Sequence, residues 1–236
     1  MRGITVPLGW AAGTARTAQS ALGGRFTLRV GTSHAMVVEG FFGESYGRPF
    51  THTAEYLDAL GPVLTGESCD VDGDEGTANG WLTVESEPVP VLLVALGPRM
   101  LDFADQRCAG TSLGPGMSPQ VIAEHVAPRI RTAAASAGRP APRIEAFVTV
   151  AVTDDLAGLV AGQRESSGLD AGLPAYRRVL DLAGLETPAD VVSAGTMGDV
   201  AAGMARYVDA GATELRVGVV TSVAAETKRA LAEWIQ

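Results

Sequence analysis

Three runs constrain this chain more than any other feature: Val89 to Leu96, Ile144 to Val152 and Leu215 to Val220 are apolar at almost every position. A strand with one wet face alternates apolar and polar residues, whereas a strand that is apolar at consecutive positions must be covered on both faces. Segments of helical periodicity lie between the runs, so the pattern predicts parallel strands joined by crossover helices. Phe26 to Val30 reads as a fourth strand, with Gly3 to Leu8 and Gly110 to Leu113 as two shorter ones.

The helices carry their own punctuation. Thr53 to Leu64 places Tyr56, Leu57, Leu60, Val63 and Leu64 on one stripe, with Pro62 removing one backbone bond near its end. The segment from Ser118 to Gly138 opens with Ser-Pro, a cap followed by proline at the first helical position. Leu173 to Gly184 and Asp199 to Gly211 also end on glycine. Gly66 to Gly80 holds Glu67, Asp70, Asp72, Asp74 and Glu75 and reads as a solvated loop, because the spacing is not that of a calcium-binding EF-hand.

The 236 residues, 46% of them hydrophobic, suffice for one sizeable core, and a single domain over 1–236 is expected. A formal net charge of −9 leaves no basic field for nucleic acid or an anionic membrane. No run approaches the roughly 20 apolar residues that span a bilayer, and the first residues lack a secretory pattern, so a cytoplasmic location is expected. Cys69, in the polar loop, and Cys108 suggest no disulfide framework, and with His34, His52 and His125 scattered no metal site is expected.

In parallel α/β folds ligands gather where strands end. Gly31-Thr32-Ser33-His34 follows the Phe26 strand directly. Its small residues admit a ligand to the backbone and its imidazole can move a proton near neutral pH, or else it is a hydrogen-bonded turn with a structural histidine. Gly97-Pro98-Arg99 runs from a buried strand into a helix start, either an anion site or an ordinary turn. Gly110 to Gly116, with Thr111 and Ser112, completes a phosphate cradle or serves as a flexible connection. Trp10 is a candidate pocket wall or a core edge.

Taken in order, these segments resemble the luciferase-like superfamily, and within it the actinobacterial deazaflavin-dependent oxidoreductases. The likeness is carried by Gly23-Gly24-Arg25-Phe26-Thr27-Leu28 leading to Gly31-Thr32-Ser33-His34, by Val37-Val38-Glu39-Gly40 and by Ser45-Tyr46-Gly47-Arg48-Pro49. It continues through Pro90 to Leu101, Ala109-Gly110-Thr111, Ala123-Glu124-His125-Val126, Val152-Thr153-Asp154-Asp155 and Asp209-Ala210-Gly211-Ala212-Thr213. The resemblance implies a TIM-type (β/α) barrel with coenzyme F-420 or FMN across the strand ends. It implies a cofactor phosphate on Gly97, Pro98 and Arg99, aided by Thr111 and Ser112, with the ring near Thr32, Ser33 and His34. His34 becomes the expected proton donor and Trp10 a second candidate catalytic position.

Family members carry two further βα units before the stretch where the likeness begins. An incomplete barrel of about six parallel strands is therefore expected, where closure uses eight. Open edges and an exposed interior call for a homo-oligomer or a partner subunit. The functions in view are hydride transfer between the cofactor and a small organic substrate, a cofactor-free isomerase or cyclase on the same scaffold, and a non-catalytic subunit.

Overall fold

The computed structural model describes residues 6–166 and 172–235, which pack as two compact units, 1–93 and 94–236. Six parallel strands alternate with helices across the chain, the α/β class that the apolar runs predict. Among the described residues no helix is long and apolar enough to cross a membrane.

The first unit opens with helix α1 (Leu8–Ala21), so Leu8 belongs to a helix rather than to the expected strand, whose residues 3–5 lie outside the described residues. The buried face of α1 is Ala12, Ala15, Arg16 and Gln19, a spacing of three and four. Two of these are polar and both are satisfied. The Arg16 guanidinium donates to Val84 O at 2.8 and 2.6 Å and to Val63 O at 3.1 Å. Gln19 donates to Pro88 O at 2.9 Å and accepts from Phe26 N at 2.7 Å. The helix is thus tied by buried side chains to the end of α3 and to the carbonyls of Val84 and Pro88, and neither polar side chain is left without partners.

Strand β1 (Leu28–Val30) leads through four residues into helix α2 (Ala35–Gly40), then into α3 (Pro49–Thr65). Helix α3 starts four residues before the sequence expectation because Pro49 stands at its first position, where a missing N–H costs nothing. It ends at Gly66, whose φ of +92° is the left-handed conformation that closes a helix. The stretch read as a loop contains an antiparallel hairpin, β2 (Cys69–Asp72) with β3 (Thr77–Gly80). The Glu55 carboxylate on α3 accepts from the amides of Asp74 (3.1 Å) and Glu75 (2.8 Å) at the hairpin tip. Cys69 is consequently a buried strand residue, not a loop residue. Strand β4 (Val91–Val94) pairs with β1 in parallel, Leu28 opposite Val91 and Val30 opposite Leu93.

The second unit is ordered by β5 (Gly110–Leu113), β6 (Arg143–Val152), β7 (Ser193–Gly195) and β8 (Glu214–Val219), with β5, β7 and β8 all parallel to β6. One face of β6, through Ile144, Ala146, Val148 and Val150, packs with Leu113 against Ile122, Val126, Ile130, Val200, Met204 and Tyr207. The opposite face carries charge. Glu145, only 2% exposed, accepts from Ser112 Oγ at 2.6 Å and from Arg216 Nε at 3.2 Å, while the Arg216 guanidinium lies 4.3 Å from the Phe147 ring centre. That carboxylate is therefore paired rather than stranded in the interior.

Around these strands lie α4 (Pro98–Arg107), the continuous helix α5 over 119–136, α6 (Leu156–Ser166), α7 (Pro174–Ala183), α8 (Met197–Asp209) and α9 (Ala224–Ile235). Ser118 caps α5 by accepting from Val121 N at 3.2 Å, as Ser-Pro predicts. A π-helical turn, Ile122–Val126, interrupts α5 just before Pro128. Proline has no amide to continue the ordinary ladder, and the wider turn absorbs that break.

Candidate functional site

In the first unit a cavity of about 310 Å³ opens beside β1, walled by α1, α2 and α3. Its floor is apolar because β1 contributes Leu28 and Val30, and α2 contributes Val38. From α1 comes Trp10, which is 70% exposed and lines the cavity. Thr32 and Ser33 line it as well. His34 does not appear in the lining; it is the half-buried cap residue of α2, its carbonyl accepting from Val37 and Val38 amides at 2.9 Å.

The imidazole that does line the cavity is His52, one turn into α3. Its Nε2 lies 2.6 Å from Glu75 Oε2, with the two side chains 13% and 8% exposed. Arg48 Nη2 stands 2.5 Å from the other Glu75 oxygen. The hairpin tip thereby delivers a carboxylate behind the ring, in the carboxylate–imidazole arrangement that fixes a histidine's tautomer and orientation. His52 Nδ1 is buried with no hydrogen-bond partner among the described residues. Sequence reasoning passed over His52 as one of three scattered histidines. The available signal was its place on α3, since Pro49, His52, Thr53 and Tyr56 share one helical face and all touch the cavity.

The neighbouring hydroxyls are engaged. Tyr46 donates to Ser33 O at 3.0 Å, Thr53 to Pro49 O at 2.8 Å and Tyr56 to Val6 O at 3.2 Å. Burial pushes the Tyr56 phenol above its ordinary value of 10.0. Among the described residues two non-glycine residues have positive φ, Ser33 (+56°) and Arg48 (+51°), one in the lining and the other between lining residues Gly47 and Pro49. Such conformations cost about 1–3 kcal/mol each and persist where surrounding contacts enforce them.

The second unit holds the expected anion segments. Gly97 caps α4 with extended backbone and no side-chain cap, and Pro98 is the first helical residue. A methyl group built on Gly97 would meet nothing within 4 Å, so the approach to this helix start is open. Arg99 is exposed beside it. Thr111 and Ser112 lie within β5, both at 0% exposure, and the Ser112 hydroxyl is given to Glu145. After that strand Gly114 is buried as well and abuts Leu96 and the Tyr176 hydroxyl, at 3.3 and 3.4 Å from an added methyl.

Residues 5–228 match the family described as luciferase-like monooxygenase. The F-420-dependent glucose-6-phosphate dehydrogenase of Mycolicibacterium smegmatis is 26% identical over 138 residues, 56% of this chain and 41% of that protein. The enzyme of the same description from Gordonia bronchialis is 25% identical over 138 residues, again 56% and 41%. The matched stretch thus spans less than half the length of these relatives. Among solved structures, an F-420-dependent secondary alcohol dehydrogenase in complex with an F-420–acetone adduct superposes with a TM-score of 0.76 at 17% identity, covering 92% of this chain and 70% of that one.

Proposed function

The chain belongs to the luciferase-like monooxygenase family, and from that premise we propose that it is an oxidoreductase that moves hydride between coenzyme F-420 and a small organic substrate. The observation that carries this reading is the open start of α4: a glycine cap, no side chain over it, a proline at the first position and an exposed arginine alongside. The helix dipole and backbone amides there favour an anion, and Arg99 adds a full positive charge. These residues fit the phosphate-bearing tail of a deazaflavin or of FMN.

When bound, the reduced deazaflavin supplies a hydride. The chain's own part is to anchor the anionic tail at Gly97, Pro98 and Arg99. The glucose-6-phosphate dehydrogenases among the relatives favour F-420 over FMN.

A fluorescence titration with F-420 and with FMN tests this. F-420 is expected to bind at micromolar concentration and FMN at least about tenfold more weakly, with Arg99→Ala weakening F-420 by about three- to tenfold through loss of one exposed charge contact. Binding of neither cofactor removes the reading in favour of a cofactor-free enzyme on the same scaffold. The reading also includes a homo-oligomer. Met36, Phe41 and Phe42, on and after α2, are 52%, 81% and 48% exposed, an apolar patch that a second copy would cover. Light scattering on the eluting protein should give a multiple of 24.3 kDa, and a monomer at micromolar concentration would remove that part.

A further inference from the structure

We propose that the cavity of the first unit is a binding site for a compact, largely apolar molecule bearing a hydroxyl group, which donates its hydrogen bond to His52 Nδ1. The proposal stands on the first unit alone and does not depend on the cofactor reading.

The size is right for a small ligand, since 310 Å³ falls at the lower end of small-molecule sites, and Leu28, Val30 and Val38 give it an apolar floor. A cavity of this kind gains specificity from few polar atoms, and here one stands apart. The hydroxyls of Tyr46, Thr53 and Tyr56 already donate to backbone carbonyls. The His52 ring is different: Nε2 faces Glu75 at 2.6 Å, while Nδ1 is buried without a partner among the described residues. Leaving a buried nitrogen unpaired forfeits its hydration with nothing in return, so folded proteins avoid it unless a ligand or a water completes the bond.

The chemistry of the partner follows from the tautomer. The Glu75 carboxylate requires the hydrogen on Nε2, so in the neutral ring Nδ1 presents a lone pair and accepts. The ligand group that meets it is therefore a donor. A carboxylate there would bring a second anion toward Glu75, whereas a hydroxyl satisfies Nδ1 without adding charge. Arg29, which also lines the cavity, is solvent-exposed.

The test compares two probes of nearly equal shape, 2-naphthol and 2-methylnaphthalene, by protein-observed NMR titration of the full chain with nitrogen-labelled histidine and no cofactor added. The expected result is about tenfold tighter binding of 2-naphthol, with a shift of the His52 Nδ1 signal that 2-methylnaphthalene does not produce. In His52→Leu the two probes should bind equally. Equal affinities in the unmodified protein, a preference that survives in His52→Leu, or failure of both probes to bind would each overturn the proposal. Should His52→Leu fail to fold, the two affinities and the Nδ1 shift in the unmodified protein decide between these outcomes.

Discussion

Replacing Asp105 by Asn should make the protein more stable at pH 8 by about 2–4 kcal/mol and leave it nearly unchanged at pH 4. Asp105 lies on α4, is 1% exposed, and neither carboxylate oxygen has a hydrogen-bond partner among the described residues. Burial, followed by the like charge of Asp102, raises its pKa from 3.8 to about 7, and Arg139 offsets this only in part. The sign follows from proton counting. Between about pH 4 and pH 7 the folded chain keeps a proton on Asp105 that the unfolded chain has released, so the folded state binds more protons and stability falls as pH rises. The penalty is absent below the unfolded value and complete above the folded one, reaching about 4 kcal/mol at roughly 1.4 kcal/mol per unit. Asn has the same shape and no charge to desolvate, so its advantage should appear across that window and hold above it. Urea unfolding of both proteins at pH 4, 6 and 8 checks this. An advantage of the same size at all three values would mean that Asp105 is not the titrating group.

The second large effect is expected at Gly110, the first residue of β5. Its φ is +153°, and a methyl group added there would stand 2.0 Å from the backbone oxygen of Arg143, directly across the ladder on β6. A flexible side chain can swing away from such an overlap. A strand backbone cannot without opening the sheet. Gly110→Ala should therefore lower stability by more than about 3 kcal/mol, combining the strained φ with a separated ladder. Two residues further on, Ser112 and Glu145 hold their hydrogen bond between the same strands, so the damage should spread to a buried carboxylate. Thermal and urea unfolding measure the loss, and a change below about 1 kcal/mol would show that the sheet yields easily at this point.

Much of the fold was legible in the sequence for a physical reason. A strand covered on both faces has few polar positions, and β4, β6 and β8 were visible as runs apolar at most positions, interrupted by Glu145 and Thr149 in β6 and by Arg216 in β8. The start of α5 could be read from Ser-Pro and the ends of α5, α7 and α8 from terminal glycine, which act through local backbone geometry alone, whereas the start of α3 at Pro49 was placed four residues too late. The elements that escaped are those whose reason for existing lies elsewhere in the chain. Helix α1 buries two alanines, an arginine and a glutamine, a face with no apolar stripe; it is held by carbonyls of residues 63, 84 and 88. The tip of the β2–β3 hairpin is held by Glu55 of α3, which accepts from the backbone amides of Asp74 and Glu75, and no local pattern announces that.

The candidate site divides along the same line. Gly97 and Pro98 could be singled out because a glycine and a proline at a strand-to-helix turn have local meaning. His52 could not, because its significance comes from Glu75 at a hairpin tip and from a cavity assembled by three helices. Ser112 illustrates the converse. Its small hydroxyl suggested a ligand contact, whereas in the fold it sits at 0% exposure and is paired with a carboxylate one strand away.

Amide hydrogen exchange with and without F-420, followed residue by residue in the second unit, probes the anchoring of the anionic tail at α4 without recourse to turnover. Saturating F-420 is expected to slow exchange at Arg99 and Met100, the first amides of α4 after Pro98. Tight binding of F-420 with these two amides unchanged would mean that the tail rests elsewhere.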